Sequence, residues 1–199
     1  MSRIIAGSAR GRRLATPKGD RTRPTTDRVR EALFSALASW FGTSELPADE
    51  QLSGLAVLDL FGGSGAVGLE AASRGAARVT IVEADPATVQ LIRRNAADAR
   101  LAAQVICARL PGGLAKVSGG WDLVFADPPY DLPDATVAEV LAGVAAAGFL
   151  TVDALVVVER AKRSPAPTWP AGFSDSWERG YGETTLHFGT NQVPDEEAG

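Results

Sequence analysis

Leu55-Ala56-Val57-Leu58-Asp59-Leu60-Phe61-Gly62-Gly63-Ser64-Gly65-Ala66-Val67-Gly68 is the stretch on which the fold turns. Its first six residues form an apolar run of strand length, broken only by Asp59. A glycine-rich turn follows, and residues 64–74 carry a helical pattern. Glycine lets the backbone turn tightly and approach a ligand without a Cβ in the way, and the helix N-terminus offers free N–H groups. Gly63, Gly65 and Gly68 match the G-x-G-x-x-G spacing of dinucleotide-binding loops.

Downstream the alternation continues. Residues 78–82, 104–107, 121–126 and 154–158 read as strands, and 86–100 and 134–147 as helices. Alternating strand and helix predicts an α/β fold: a mostly parallel sheet with helices on both faces. Residues 176–181 and 184–188, around Gly182-Glu183, predict a closing antiparallel hairpin. Trp169, Phe173 and Trp177 read as core beneath it. Upstream, Val29, Leu33, Leu37 and Trp40 recur at helical spacing, with Thr26 or Asp27 as the cap and Gly42 at the end. Residues 43–54 read as a linker. Arg3–Ala6 and Arg12–Ala15 can pair as a small N-terminal hairpin. The predicted organisation is a basic arm (1–24), one α/β domain (25–189) and an acidic, disordered tail (190–199).

The chain has 199 residues and a net charge of −4, which conceals an asymmetry. Residues 1–30 hold nine Lys/Arg against two acids, and the remainder holds eleven against twenty-two. A basic arm on an acidic body is the footprint of nucleic-acid binding, and Arg10, Arg12, Arg13, Arg21, Arg23 and Arg28 are its candidate phosphate contacts. One cysteine and one histidine exclude a disulfide framework and a protein-built zinc site, so no metal is expected. No apolar run is long enough to span a membrane, and the basic N-terminus lacks the apolar core of a secretory signal. A cytoplasmic protein is predicted.

Three acids stand at predicted strand ends. Asp59, just before the glycines, would repel a pyrophosphate but could hold a cationic amine, directly or through water. Glu83 ends the second strand, where an acid binds ribose hydroxyls. A ligand with a ribose, a positive amine and no phosphate suits both: S-adenosylmethionine, on a loop of Phe61, Gly62, Gly63, Ser64 and Gly65. Asp127-Pro128-Pro129-Tyr130 leaves the strand at 121–126. Proline and Asp are common at strand exits. The same four residues also offer a carboxylate, rigid carbonyls and an aromatic face to a planar ring bearing an exocyclic amine.

These motifs resemble those of class I S-adenosylmethionine-dependent methyltransferases that act on amines. Gly7, the Arg10–Leu14 run and above all Arg23-Pro24-Thr25-Thr26-Asp27-Arg28-Val29-Arg30-Glu31-Ala32-Leu33-Phe34 are similar to the bacterial 16S rRNA (guanine(966)-N(2))-methyltransferase family. So is the terminal Tyr181-Gly182-Glu183-Thr184-Thr185-Leu186. The resemblance implies a Rossmann-like sheet and methyl transfer to a guanine N2 in 16S rRNA, within a small-subunit particle. A monomer is expected. It implies that Asp127 and the Pro128 carbonyl accept the N2 hydrogens while Tyr130 stacks on the base. Relatives often carry an acid after the third strand for the adenine amine. Here Cys107-Ala108-Arg109 stands instead, so adenine contact falls to backbone near Ala108 and Arg109, with apolar contact from Ala84. An adenine-N6 methyltransferase acting on DNA or RNA would use Asp127–Tyr130 equally well. A nicotinamide-dependent oxidoreductase rests on the glycine spacing alone.

Overall fold

The computed structural model describes residues 2–17, 26–146 and 148–191. Among the described residues, nine strands and four helices follow in order: β1 (Ser2–Arg3), β2 (Arg13–Leu14), α1 (Asp27–Trp40), β3 (Ala56–Leu60), α2 (Ala66–Ser73), β4 (Arg78–Glu83), α3 (Pro86–Ala99), β5 (Gln104–Cys107), β6 (Trp121–Ala126), α4 (Asp134–Ala146), β7 (Leu150–Ala161), β8 (Asp175–Tyr181) and β9 (Thr184–Thr190). A short 3-10 turn, Gly112–Lys116, lies between β5 and β6.

Seven strands form one sheet in the order β5-β4-β3-β6-β7-β9-β8. The first five are parallel, and β9 pairs antiparallel with both β7 and β8. The predicted architecture is therefore the observed one. From β3 the chain winds outward through β4 to β5, then returns to place β6 on the other side of β3. That reversal opens a crevice above the carboxyl ends of β3 and β6, where open α/β sheets bind ligands.

Strand side chains alternate between two buried layers. Val57, Ile81, Phe125 and Val157 face Leu33, Leu37, Leu69 and Ile92 of α1–α3. Leu58, Val82, Val124 and Val156 face Val137, Val140 and Leu141 of α4. Trp169 stacks on Phe173 against this second layer, and Trp177 stacks between Trp40 and Phe188 against the first, as core.

Three local expectations need correction. The 43–54 segment is no slack linker: Leu52 is fully buried, Thr43 Oγ1 donates to Gln51 O at 2.8 Å, and Arg74 grips the Gln51 side chain at 2.7 Å. The N-terminal hairpin is shorter than expected, pairing Ser2 with Leu14 and Arg3 with Arg13. It packs into the first layer through Ile4, Ala9 and Leu14 rather than standing away from the body. β7 runs three residues past Val158, because β9 continues the pairing to Ala161.

α1 starts where the cap predicts, with Thr26 Oγ1 accepting from Val29 N–H, and Gly42 takes a left-handed turn just beyond its end. Of the arm, Arg21 and Arg23 lie outside the described residues, as does 192–199 of the tail.

Candidate active site

Strand register brings four acids together. Asp59 pairs with Phe125 and Ile81, and Phe125 pairs with Val157. Asp127, Glu83 and Glu159 each lie two residues beyond one of those partners, so by alternation all four acids occupy one sheet face. Across β4, β3, β6 and β7 they read Glu83, Asp59, Asp127, Glu159, at the carboxyl edge and centred on the crevice.

The glycine loop is built around two of them. Asp59 Oδ2 accepts from Gly68 N–H at 2.9 Å. That approach needs glycine, because a Cβ at Gly68 would come within 2.7 Å of Ile81 and 3.2 Å of Asp59. Gly65 caps α2 at φ +77°, a left-handed conformation that glycine adopts without penalty. Phe61 holds φ +67° without that freedom, local strain of the kind found at ligand loops. Glu83 Oε2 accepts from Gly63 N–H at 2.9 Å and Oε1 from Asp85 N–H at 2.8 Å. A carboxylate has about four acceptor positions, so capacity for hydroxyl groups remains.

Burial governs the charge state of Asp59, which is 2% exposed. It pushes the carboxyl up to about 8, opposed by the Gly68 N–H and reinforced by the charge on Glu83. An acid so placed takes a cation readily, because a positive ligand restores the ionised form. Asp127 is partly exposed. Desolvation still lifts its carboxyl well above the usual range, Glu159 and then Asp59 add to the rise, and Arg160 opposes it.

Beyond Asp127, Pro128 is buried and Pro129 exposed. The Pro129 carbonyl accepts from Leu132 N–H at 2.9 Å, fixing the turn. Tyr130 is 74% exposed, and the Arg163 guanidinium sits 5.8 Å from its ring centroid. Most of the ring is thus open to solvent, with Arg163 over it.

At the positions expected to meet adenine, Ala108 N–H donates to the Glu83 carbonyl at 2.9 Å, so that donor is already engaged. Arg109 and Ala84 are exposed. Arg10, Arg12, Arg13 and Arg28 are exposed as well, on the N-terminal hairpin and the first turn of α1.

Three further residues escaped the sequence reading. Glu70 resembles a solvent-facing helix residue but is fully buried: it accepts from Ile5 N–H at 2.7 Å, Ala6 N–H at 2.9 Å and Arg74 Nε at 2.9 Å. Asn95 bonds both backbone groups of Ala15 and donates to Ser64 O, each at 2.9 Å, and so ties the hairpin to the glycine loop. Glu159 is the third. Polar residues at buried, apolar-looking positions are the available signal, but their partners are distant in sequence. Among the described residues no three His, Cys, Asp or Glu side chains are placed to hold a metal ion, and no helix is long and apolar enough to cross a membrane.

A doubly wound sheet, a glycine turn after the central strand, acids at the ends of the two strands beside it and an antiparallel closing hairpin define a class I methyltransferase. The chain belongs to the family described as conserved hypothetical protein 95, whose model matches residues 2–190. The ribosomal RNA small subunit methyltransferase D of Escherichia coli is 39% identical over 173 residues, covering 86% of this chain and 81% of that one. The solved structure of yhhF from Escherichia coli superposes with a TM-score of 0.79 at 33% identity, over 96% of this chain and 98% of that one. A Thermus thermophilus 16S rRNA N2 G1207 methyltransferase, solved with AdoMet and guanosine, shares the fold at TM-score 0.64 and 22% identity, over 86% of this chain and 45% of its own.

Proposed function

We propose that this protein transfers a methyl group from S-adenosylmethionine to the exocyclic N2 of a guanine in 16S rRNA, position 966 in the family's naming, with the small-subunit particle as substrate. The observation that carries this reading is the pair of acids flanking the crevice, Asp59 on β3 and Asp127 just past β6. The name of the Escherichia coli relative supports the substrate.

The residues fit the donor. Asp59, buried with a raised pKa, would hold its positive amino-acid end, directly or through water. Glu83 would receive the ribose hydroxyls while keeping its bonds to the loop. Phe61, Gly62, Gly63, Ser64 and Gly65 would line the cradle. Adenine would meet Ala84, the apolar Ala108 and the backbone of Arg109. When bound, the donor supplies a methyl on a positive sulfur, which is a good leaving group.

The protein's task is then positioning. The guanine N2 lone pair is delocalised into the ring and is a poor nucleophile. Asp127 and the Pro128 carbonyl would accept the two N2 hydrogens, favouring a pyramidal nitrogen whose lone pair faces the methyl group. Pro129 would hold the turn, and Tyr130 would stack on an unstacked base. Alignment and charge stabilisation of this kind supply most of the acceleration expected for such a transfer. Arg10, Arg12, Arg13, Arg21, Arg23 and Arg28 would contact phosphates. Those contacts position the enzyme on its RNA without reading sequence.

Labelled methyl transfer into small-subunit particles, naked 16S rRNA and DNA, followed by nucleoside digestion, tests the reading. N2-methylguanosine from the particle is expected. N6-methyladenine in any substrate, or no transfer, would overturn it.

A further inference from the structure

We infer that Lys162 and Arg163, at the tip of the turn after β7, form a second phosphate-contact surface, separate from the N-terminal arm, that holds the RNA backbone beside the target nucleotide. The choice of RNA as ligand rests on the proposed function; the turn itself is a property of the fold.

The sheet carries this turn to the crevice. Ala126, the last residue of β6, pairs with Val158 of β7. Asp127-Pro128-Pro129-Tyr130 leaves the sheet there, whereas β7 runs on to Ala161, which pairs with Thr184 of β9. Backbone bonds then fix the turn. Lys162 N–H donates to the Glu183 carbonyl at 2.9 Å, and Ser164 N–H to the Ala161 carbonyl at 2.8 Å. The second bond closes a four-residue turn with Lys162 and Arg163 as its central pair. Both residues are exposed.

The turn reaches the Asp127–Tyr130 loop. The Arg163 guanidinium lies over the Tyr130 ring, 5.8 Å from its centroid, within reach of a cation–π contact. A ring has two faces, so a cation over one leaves the other for a base. A guanidinium held by a π face keeps N–H groups for other acceptors, and their fork fits phosphate oxygens. Base and adjoining phosphate can therefore be taken by neighbouring side chains.

Charge gives the turn its use. Beyond residue 30 the chain holds eleven basic residues against twenty-two acids, a body that repels a polyanion. Residues 160–174 run against that trend, with three cations and no acid. Arg160 is committed to Asp134 of α4. Among the described residues, Lys162 and Arg163 pair with no carboxylate. The N-terminal hairpin bonds Glu70 and Ser73 of α2 and Asn95 of α3, over the β3–β5 half of the sheet. The turn belongs to the β7–β9 half, so the two basic surfaces flank the crevice.

Salt dependence counts such contacts. The test is binding against salt, with kinetics, on whichever nucleic acid the wild type methylates. In Lys162→Ala combined with Arg163→Ala, the slope of log affinity against log salt should flatten by about 1–2 units. KM for the nucleic acid should rise roughly tenfold, the scale of a charge-assisted hydrogen bond, while cofactor affinity and melting temperature hold. Adding Arg10→Ala, Arg12→Ala and Arg13→Ala should flatten the slope further, because the surfaces are separate. Arg163→Lys alone keeps the charge and should keep the slope.

An unchanged slope in the double variant would overturn the proposal. So would an Arg163→Lys slope as flat as that of Arg163→Ala, which would leave the guanidinium as a prop for Tyr130. The methylated base is read separately. N2-methylguanosine with an unchanged slope sinks the turn alone, and a flattened slope with another methylated base sinks the guanine assignment alone.

Discussion

Asp59 and Asp127 stand on one face of neighbouring parallel strands, either side of the point where the sheet reverses its winding order. The glycine loop folds around the first, bonding Asp59 Oδ2 through Gly68 N–H, and Asp127-Pro128-Pro129-Tyr130 leaves from the second. Donor and acceptor of a methyl group can therefore meet over the crevice between them.

Burial of Asp59 has a pH signature. Its carboxyl has an ordinary pKa of 3.8 and one of about 8 in the fold. Between those values the folded state binds more protons than the unfolded chain, so stability falls as pH rises. The ligand-free protein should melt higher at pH 5 than at pH 8.5, and Asp59→Asn should flatten that slope. The buried His187 works in the opposite sense around its ordinary 6.5. Comparing wild type with Asp59→Asn in urea unfolding isolates the carboxyl.

Glu83 both shapes the loop and faces the crevice. Glu83→Ala frees the N–H groups of Gly63 and Asp85 and removes the proposed ribose acceptor. Cofactor affinity should fall on the order of tenfold or more by calorimetry, the scale of an unmade charged hydrogen bond. Unchanged affinity would return Glu83 to a purely local role.

The packing of the N-terminal residues can be tested apart from their proposed RNA binding. Glu70→Ala should destabilise the protein by about 3–5 kcal/mol, because it removes the close ion-pair partner of the buried Arg74 and strands two backbone N–H groups of the hairpin. Truncating the hairpin would mix that loss with any loss of RNA binding.

Combined Arg10→Ala, Arg12→Ala and Arg13→Ala touches only exposed charge. The melting temperature and cofactor affinity should hold. RNA affinity should fall, and its dependence on log salt should flatten by about 2–3 units, near one per lost phosphate contact. An unchanged slope would remove these arginines from the interface.

The parallel sheet was legible because strand and helix periods alternate cleanly from Leu55 onward, and Asp59, Glu83 and Asp127 because each interrupts or ends an apolar run. Glu159 was not, because the β-branched run closes at Val158 and only the pairing with β9 carries the strand onward. Glu70 and Asn95 were hidden for another reason. Their partners Ile5 and Ala15 lie 65 and 80 residues away, and only packing brings them together. The engaged N–H of Ala108 follows from β4–β5 register, which residue types alone do not determine.

The most direct test of the central claim is Asp127→Ala, with single-turnover methyl transfer and cofactor calorimetry measured on the same preparation. The account predicts a folded protein with near wild-type cofactor affinity and transfer slowed roughly 100-fold or more. Transfer within a factor of about two of wild type would contradict it, since positioning of the amine would then lie elsewhere.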